Sequence, residues 1–373
     1  MGPPVVSLAP APYNPAMPET SERVLRRGWT TGACATAAAK AAATALLTGA
    51  FPDPVGIELP GGQRPVFPLA LRASGAGWAR AGVTKDAGDD PDVTHGALVI
   101  AELRAASAGS GILFRAGEGV GTVTRPGLAL AVGEPAINPA PRAMIRAALA
   151  GLGARDLELT ISIPGGGALA AKTMNARLGI LGGLSILGTT GVVIPYSCSS
   201  WIHSIHRGVD VALAAGATHV AGATGSRSEQ AVQHLYGLPE VALIDMGDFV
   251  GALLKYLRSH PVPRLTLAGG LGKLVKLAQG HLDLHSSRSR LDGAALARLL
   301  SELGAPEPAV GAACTAESMG EVVAMLTPEI GLRLAHRIAE GCREAALATL
   351  AGGTAVDVAV FDREGALLAR TDG

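Results

Sequence analysis

A polar loop at residues 83–96 contains the densest group of side chains able to move protons or hold a cation. It reads Val-Thr-Lys-Asp-Ala-Gly-Asp-Asp-Pro-Asp-Val-Thr-His-Gly and includes the carboxylates of Asp86, Asp89 and Asp90. Such carboxylates can serve as a general base or bind a cation, although their spacing does not match an EF-hand. The same composition is typical of a solvated turn whose Asp side chains bond their own backbone. The residues alone leave both interpretations open.

The stretch at residues 26–43 is a candidate for anion binding. Thr30 or Thr31 is expected to cap an alanine-rich helix that runs from Ala33 to Leu47, because alanine loses least on becoming helical and threonine accepts from first-turn N–H groups. Gly28 and Gly32 allow other backbone to approach closely. Free N–H groups at such a helix start attract an anion. The alternative is a well-capped helix that only packs.

A second polar loop covers residues 117–141 and is rich in glycine and proline. Its functional candidates are Glu118, Arg125, Glu134 and Asn138. The alternative is a glycine hairpin followed by a helix start that proline defines.

The elements that must position these groups change character along the chain. From residue 184 onward, strands and helices alternate, which predicts right-handed βαβ units and a parallel sheet. The predicted strands cover residues 184–194, 219–223, 241–245 and 264–268, and the predicted helices cover 199–215, 226–235, 249–258 and 271–279.

The carboxyl ends of these predicted strands carry glycines and two carboxylates. Ligands of open parallel sheets sit at this edge, so a nucleoside-type ligand is expected there, with Asp245 or Asp248 accepting from ribose hydroxyls. The alternative is that turns after strands simply use glycine and that Asp248 caps a helix. The turns are Gly188–Gly191, Gly222–Ser226, Asp245–Asp248 and Gly269–Lys273.

Two further matches are weak. Residues 164–170 formally fit a dinucleotide fingerprint, but no acidic residue follows until Asp210, and the turn at 269–273 lacks the first glycine and the Ser or Thr of a P-loop. The pairs His203 with His206 and His281 with His285 have ligand-like spacing without a third ligand. We therefore expect no protein metal site.

The flanking regions complete the predicted organisation, which is an N-terminal α+β domain, a mostly parallel βαβ (Rossmann-like) domain and a C-terminal helical and hairpin segment that acts as cover or interface. The predicted divisions are a disordered tail at 1–22, then 23–177, 178–290 and 291–373. Within them we expect strands at 67–72, 97–104, 111–115 and 157–163, helices at 138–149, 293–303 and 318–349 with a break at Pro328, and a hairpin at 355–369.

Composition narrows the possible partners. Thirty-one basic and 31 acidic residues cancel, and aromatic residues make up only 3%, which argues against a nucleic-acid surface and a polybasic membrane patch. The four cysteines are far apart in the chain, so reduced thiols and a cytoplasmic location are expected. No nucleic-acid or membrane partner is predicted, and a homo-oligomer remains possible.

Six longer motifs occur in one order along the chain: Gly28–Gly32, Lys85–Thr94, Thr122–Gly127, Gly133–Pro139, Leu178–Gly191 and Gly272–Ala278. Taken together, they resemble the cobalt-precorrin-5B C1-methyltransferase family of cobalamin (vitamin B12) biosynthesis. The resemblance covers nearly the whole chain after the tail.

The resemblance implies transfer of a methyl group from S-adenosylmethionine, as co-substrate, to C1 of a reduced tetrapyrrole with many carboxylates. The substrate is cobalt-precorrin-5B or a closely related precorrin, and any cobalt arrives inside it. In such a reaction the enzyme mainly holds two bulky reactants in position. The implied catalytic candidates, which take the departing proton or stabilise developing charge, are Asp86, Asp89 and Asp90.

The resemblance also divides the remaining candidates between the two reactants. The implied substrate-binding residues are Thr30, Thr31, Gly32, Lys85, Thr94, His95, Arg125, Glu134 and Asn138. The implied cofactor-binding residues are Thr189, Thr190, Gly222, Thr224, Gly225, Asp245, Asp248, Gly269, Gly270, Gly272 and Lys273.

Two other classes of protein share some of these features. A non-catalytic tetrapyrrole carrier would have the anion-binding groups without an adenosyl site. A small-molecule kinase would use the Thr-Thr-Gly helix start for phosphate, but it would also need magnesium and nucleotide ligands.

Overall fold

The computed structural model describes residues 25–316 and 318–372. It shows helices and mixed sheets, so the predicted mixed α/β class is confirmed. The tail predicted at residues 1–22 lies outside the described residues. Among the helices that the structure describes, none is long and apolar enough to cross a membrane.

The first part of the chain forms these elements: β1 Gly28–Trp29, α1 Thr31–Thr48, β2 Val55–Gly56, β3 Val66–Phe67, β4 Leu71–Gly75, β5 Trp78–Thr84, β6 Leu98–Ala105, β7 Ile112–Ala116, β8 Thr122–Val123, α2 Pro139–Ala150, β9 Leu157–Ser162 and α3 Gly166–Ala170. Five of the strands make one sheet in the order β4-β5-β6-β9-β7, antiparallel except for the β7–β9 pair.

Two strand predictions in this part need correction. The strand predicted at 67–72 is divided into β3 and β4, because Pro68 lies between them and cannot donate a ladder hydrogen bond. Strand β5 is not predicted at all, since its Trp-Ala-Arg-Ala-Gly-Val-Thr sequence is rich in residues that are rare in strands. Pairing with β4 on one side and β6 on the other overrides this weak local preference.

Helix α1 is the predicted alanine helix, and it lies inside the protein. Thr30 is its N-cap and accepts a hydrogen bond from the Ala33 N–H at 3.2 Å. Gly49 closes the other end with φ +81° and donates to the Ala45 carbonyl. From Thr31 to Ala45 every residue except Lys40 and Thr44 is buried. Small side chains let the sheet and α2 pack closely around the whole helix.

The second part of the chain forms β10 Ile180–Leu181, β11 Val192–Val193, α4 Ser199–Ala214, β12 His219–Ala223, α5 Ser226–Tyr236, a 3-10 turn at Glu240–Ala242, β13 Leu243–Asp245, α6 Val250–Leu257, β14 Arg264–Gly270, α7 Leu271–Ala278, α8 Gly293–Glu302, α9 Glu307–Thr315, α10 Met319–Val323, α11 Pro328–Leu350, β15 Ala355–Phe361 and β16 Leu367–Arg370. Its sheet has the order β13-β12-β14-β15-β16, with the first four strands parallel and β16 antiparallel to β15.

The strand predicted at 184–194 is wrong. Within this range the structure has the two-residue strand β11, which pairs with β1, and the preceding strand β10 pairs with β8. The intervening backbone bonds to the first part of the chain, as when the Ile186 N–H donates to the Ala136 carbonyl at 2.7 Å. Gly188 and Gly191 have φ values of +121° and +82°, which interrupt any extended run.

The fourth parallel strand is β15, which comes from the far end of the chain. The hairpin predicted at 355–369 is confirmed, but the expectation that this segment is only cover is wrong. Residues 356–361 are all buried. A nearly continuous apolar run is typical of a parallel strand covered on both faces, which explains why β15 lies inside the sheet.

Most buried apolar residues fall into two clusters. One cluster is drawn from residues 33–186 and surrounds α1. The other is drawn from residues 205–369 and packs helices against the parallel sheet. Both are mainly aliphatic, as the low aromatic content predicts.

A buried polar network joins the amino-terminal ends of the parallel strands. The carboxylate of Asp357 is fully buried and accepts from Arg264 Nε at 2.8 Å, Tyr236 OH at 2.5 Å and Thr266 Oγ1 at 2.9 Å. His219 Nε2 lies 2.7 Å from the Thr266 hydroxyl. Burial alone raises the pKa of Asp357, but these hydrogen bonds outweigh it and lower the pKa below its usual range.

Asp357→Asn should therefore lower the free energy of unfolding by about 3 kcal/mol at neutral pH, because Arg264 loses its partner. The carboxylate stabilises the fold fully above the unfolded-state pKa of about 3.9, and this contribution is lost as the pH falls towards the lower folded-state pKa. Urea unfolding at pH 7 and pH 3 should show the difference between wild type and variant shrinking in acid. Glu364→Gln, on an exposed turn, is the control. A difference independent of pH would contradict this account.

Candidate functional site

The carboxyl ends of the parallel strands form an edge with the geometry of a ligand site. The chain passes from β12 to β13 on one side and then crosses to β14 on the other, so the switch point lies between β12 and β14. In open parallel sheets, ligands bind at this point. The Thr224 N–H donates to the Ala268 carbonyl at 2.9 Å, which holds the two strand ends together. The predicted convergence of the 222–226, 245–248 and 269–273 turns is confirmed.

The glycines at this edge fall into two groups. A Cβ on Gly222 would lie 2.5 Å from Leu253 Cδ2, and one on Gly269 would lie 2.7 Å from Thr224 Oγ1, so packing within the protein requires both glycines. At Gly225 and Gly272 a Cβ would meet nothing within 4 Å, and at Gly270 only the Phe361 carbonyl at 3.7 Å. The second group leaves open space along the edge, where a ligand can contact backbone directly.

Polar groups border this open space. Lys273 Nζ donates to the Thr224 carbonyl at 2.7 Å and lies 3.1 Å from Asp248 Oδ1, which ties the start of α7 to the β12 end. Asp245 is half-buried, and burial raises the pKa of its carboxyl, although Arg177, Lys273 and the Gly247 N–H oppose the shift. The N-caps of α5 and α7 are Gly225 and Gly270, and neither supplies a side-chain cap. Carboxylate acceptors and helix starts at one edge suit a ligand with both hydroxyl and anionic groups.

Thr189 and Thr190 do not belong to this edge. Their segment lies on the start of α1, where a Cβ on Gly188 would lie 2.3 Å from the Thr30 side chain. The Thr30 N–H donates to the Gly191 carbonyl at 3.0 Å. The prediction that they follow a strand of the parallel sheet is wrong, because the 184–194 strand does not form.

At the start of α1, residues 31–33 are buried and two of the N–H groups expected to be free are already bonded within the protein. The Gly32 N–H donates to the Leu187 carbonyl at 3.0 Å, and the Ala33 N–H donates to Thr30. The Thr31 hydroxyl lies 3.2 Å from the Leu187 carbonyl oxygen and 3.1 Å from the Leu187 nitrogen. The prediction of an open anion site here is wrong. Burial also raises the pKa of the Cys34 thiol to about 12, which excludes it as a nucleophile at neutral pH.

The polar loop at 83–96 is held by its own side chains. Lys85 is buried, and its Nζ lies 2.6 Å from Asp92 Oδ2. The other Asp92 oxygen accepts from the N–H and the hydroxyl of Thr94 at 2.7 and 2.6 Å. Lys85 and Thr94, which the resemblance implies to be substrate-binding, therefore use these donors to stabilise the loop. His95 Nδ1 accepts from the Ala87 N–H at 3.1 Å, which places any single ring proton on Nε2.

Residues 26–29 lie directly against this loop. Arg26 contacts both Asp86 oxygens, at 2.5 and 2.9 Å, and its own N–H donates to Asp89 Oδ2 at 2.8 Å. The hydrogen bonds from Arg26 and from the Gly88 N–H lower the pKa of Asp86 to about 2. An acid of that strength is ionised at neutral pH and is a weak general base. Asp86 can supply fixed negative charge more readily than accept a proton.

Asp90 connects the loop to the parallel sheet through residues that the sequence did not assign. Its Oδ1 accepts from the Tyr196 N–H at 2.8 Å. Five residues later, the Trp201 indole N–H donates to the Asp245 carbonyl at 3.1 Å, at the end of β13. The segment 195–201 therefore spans from the polar loop to the strand-end edge. No local signal identifies it, because its importance lies in two contacts that are distant in sequence.

The remaining candidates are dispersed. The side chain of Arg125 packs against Gly179. Its Nη1 is buried with no hydrogen-bond partner among the described residues. Glu134 pairs with Arg142 at 2.6 Å. Asn138 is the N-cap of α2 but makes no side-chain capping bond. Of these three candidates, Arg125 alone keeps a buried donor without a partner among the described residues.

Two cavities lie beside the predicted residues. One, of about 20 Å³, is lined by Arg177, Ser204 and Asp245 and has room for about one water molecule. The other, of about 470 Å³, lies between α4 and α6 and includes none of the predicted site residues. A bulky substrate needs open access, which the strand-end edge provides.

One member of each histidine pair contacts a neighbouring side chain. His206 stacks on Tyr256 with ring centroids 4.1 Å apart, and Tyr256 stacks on His260 at 4.0 Å. His285 Nδ1 lies 2.8 Å from the Ser287 hydroxyl. Within residues 25–316 and 318–372, no group of three or more His, Cys, Asp or Glu side chains is arranged to hold a metal ion.

The open strand-end edge and the polar loop, joined by residues 195–201, define a ligand-binding α/β protein. Residues 18–195 match the family model described as CbiD, and residues 283–372 match the model described as CbiD, C-terminal domain. The chain belongs to the CbiD family, which confirms the family predicted from the motifs.

Relatives match over almost the full length. The cobalt-precorrin-5B C(1)-methyltransferase of Paramagnetospirillum magneticum is 60% identical over 353 residues, covering 93% of this chain and 98% of the relative. The protein of the same name from Rhodospirillum rubrum is 60% identical over 351 residues, covering 94% and 98%. A crystal structure of the cobalamin biosynthesis protein (cbiD) from Archaeoglobus fulgidus is 27% identical, covers 71% of this chain and 83% of that one, and has a TM-score of 0.37.

The close contact between residue 28 and the polar loop can be tested by adding one methyl group. Gly28→Ala would place its Cβ 2.0 Å from the Ala87 carbonyl carbon, so the loop must move, at an expected cost of about 1–3 kcal/mol in unfolding free energy. Amide hydrogen exchange of residues 86–90 should accelerate. Gly56→Ala, where the nearest atom is 3.7 Å away, is the control and should neither lower the unfolding free energy nor accelerate exchange. Unchanged exchange in Gly28→Ala would disprove the contact.

Proposed function

We propose that this protein transfers a methyl group from S-adenosylmethionine to C1 of cobalt-precorrin-5B, or of a closely related precorrin, in cobalamin biosynthesis. The observation that carries the proposal is 60% identity, over 93% of the chain, to a relative with that named activity. No relative that we compared supports the carrier or the kinase alternative.

We place S-adenosylmethionine at the carboxyl edge of the parallel sheet. The open positions at Gly225, Gly270 and Gly272 would accept the adenosyl group against backbone. Asp245 would accept from the ribose hydroxyls, and Lys273 with Asp248 would border the site. The spacing between β12 and β14 at this edge would depend on the packing of Thr224, Gly222 and Gly269 within the protein.

We place the tetrapyrrole on the side of the polar loop. A ring carbon with enamine character attacks the sulfonium methyl group, a carbon–carbon bond forms as the carbon–sulfur bond breaks, and S-adenosylhomocysteine leaves. The ring then carries positive charge until a proton departs. A carboxylate near C1 would stabilise this charge.

The three catalytic candidates would contribute differently. Asp86 is paired with Arg26 and would act by positioning the loop. Asp89 would support the same contact through the Arg26 N–H. Asp90 has no ion-pair partner among the described residues and bonds only to the Tyr196 N–H. Asp90 is therefore our candidate for stabilising the cationic ring.

The substrate carboxylates need cationic or N–H donors. Arg125 is our candidate, because its buried Nη1 lacks a partner among the described residues. His95 has an exposed ring with Nε2 available as a donor. The other implied substrate-binding residues would act indirectly, by holding the helix starts and the loop in position. They are Thr30, Thr31, Gly32, Lys85, Thr94, Glu134 and Asn138.

We also propose a domain division that adjusts the predicted 23–177, 178–290 and 291–373 at two places. Residues 178–193 would belong to the first domain, because β10 and β11 pair with its strands. The two apolar clusters support two folding units. Because β15 is an inner strand of the parallel sheet, residues 291–373 would complete the donor-side domain and would not fold as a separate cover.

The donor site predicts opposite effects on stability and on binding for one substitution. Gly272→Ala lies in the first turn of α7, with nothing within 4 Å of the added Cβ, so it should stabilise the protein by about 0.5–1 kcal/mol. It should also weaken binding of S-adenosylhomocysteine in calorimetry, because the methyl group occupies the ligand's space. Gly331→Ala, in the first turn of α11 and equally unobstructed, should stabilise without affecting binding. If both variants bound S-adenosylhomocysteine with equal affinity, the methyl donor would not bind at this edge.

The different roles proposed for Asp245 and Asp90 predict that one substitution affects donor binding and the other affects catalysis. Asp245→Asn should weaken S-adenosylmethionine binding about tenfold, since a charged acceptor for ribose is lost. Asp90→Asn should leave that affinity within about twofold and lower kcat, measured with labelled methyl donor and both cobalt and metal-free precorrins. If Asp90→Asn lowered donor affinity as much as Asp245→Asn, the two sides would not be separate.

A further inference from the structure

The segment 194–201 exposes aromatic and apolar side chains that the assigned roles do not use. Tyr196 is 67% exposed, Ile194 54% and Trp201 46%. The whole chain has only four tyrosines and three tryptophans, so two exposed aromatic residues within six positions are unusual here. Exposed apolar side chains that cluster in this way typically mark a binding surface.

The backbone of Tyr196 is held in an unfavourable conformation. Its φ is +56°, one of three positive values for non-glycine residues in the described chain. A bulky residue in the left-handed region is unfavourable and persists only where its surroundings enforce it. Tyr196 is the third residue of a turn in which the Ser197 N–H donates to the Ile194 carbonyl at 3.1 Å, a position where type II turns have positive φ. The hydrogen bond from the Tyr196 N–H to Asp90 fixes this turn against the polar loop. The residue held in this conformation has an exposed ring and a backbone N–H bonded to a catalytic candidate.

Trp201 is held just as specifically at the other end. Its indole N–H donates to the Asp245 carbonyl at 3.1 Å. Its ring packs near Gly247, where an added Cβ would lie 3.3 Å from the indole. Since the one polar atom of the side chain is already bonded, the exposed part of Trp201 is purely apolar.

The position of these residues decides which ligand they fit. Tyr196 is bonded to the loop on the proposed substrate side, and Trp201 to the strand end on the proposed donor side. Residues 194–201 carry no charged side chain. A tetrapyrrole has a broad, largely apolar ring face and carboxylates at its rim, so an uncharged aromatic surface suits the face and does not repel the rim.

We propose that Ile194, Tyr196 and Trp201 form a platform that binds one face of the tetrapyrrole and holds C1 next to the methyl donor. This inference rests on the proposed function for the identity of the ligand. Tyr196 and Trp201 are positioning residues, and Asp90 sets the angle of the Tyr196 ring through the backbone.

The test uses Tyr196→Gly, because glycine adopts a φ of +56° without strain. The variant should unfold no more easily than wild type, so any loss of binding cannot be ascribed to misfolding. Its Kd for cobalt-precorrin-5B, measured by tryptophan fluorescence quenching, and its KM should rise about tenfold, while the Kd for S-adenosylhomocysteine stays within twofold. Tyr196→Phe keeps the ring and should behave as wild type. Ala351→Gly, at a remote position with φ +60°, is the matched control.

The outcomes separate this proposal from the proposed function. Unchanged precorrin affinity in Tyr196→Gly, or a loss confined to S-adenosylhomocysteine, would overturn the platform even if wild type is an active methyltransferase. If wild type binds the precorrin in a Tyr196-dependent way but forms no methylated product, the platform stands and the proposed reaction fails. Failure of wild type to bind either precorrin form would overturn both.

Discussion

The contact between Gly28 and the backbone of Ala87 is the constraint on which the candidate site depends. Residues 28–30 lie between the polar loop on one side and residues 191–193 on the other, with β1 paired to β11 and the Trp29 N–H bonded to the Asp86 carbonyl. There is no room for a Cβ at Gly28. β11 leads directly into the 194–201 segment, so the close contact at Gly28 sets the positions of both the polar loop and Tyr196. Because Trp201 bonds to the end of β13, the same contact also sets where the loop lies relative to the parallel sheet.

The parallel sheet has a buried polar network at the amino-terminal ends of its strands and an open surface at their carboxyl ends. At the amino-terminal ends, the buried carboxylate of Asp357 is fully paired by Arg264, Tyr236 and Thr266. At the carboxyl ends, Gly225, Gly270 and Gly272 leave backbone uncovered. This division lets the strands be held firmly at one end while the other end stays open, as ligand sites on parallel sheets require.

The structure changes what the acidic loop can do. By composition, Asp86, Asp89 and Asp90 are equivalent candidates for a general base. In three dimensions Arg26 engages Asp86 and Asp89, and only Asp90 faces an unassigned segment. The reaction favours this arrangement, because methyl transfer from a sulfonium needs positioning and charge stabilisation more than a strong base.

The sequence by itself determined the elements whose signals are local. The Thr30 cap and alanine run of α1, the βαβ alternation from β12 to α7, the 355–369 hairpin and the family motifs are all readable within short windows, because helix caps and periodicity depend on neighbouring residues. Only the tertiary structure decided which strands pair: residues 184–194 bond to the first part of the chain, and β15 completes the parallel sheet. Several apolar segments can satisfy the same backbone ladder, so packing and distant hydrogen bonds make the choice. The same reason hides Tyr196, whose role comes from a contact with Asp90 that lies 106 residues away.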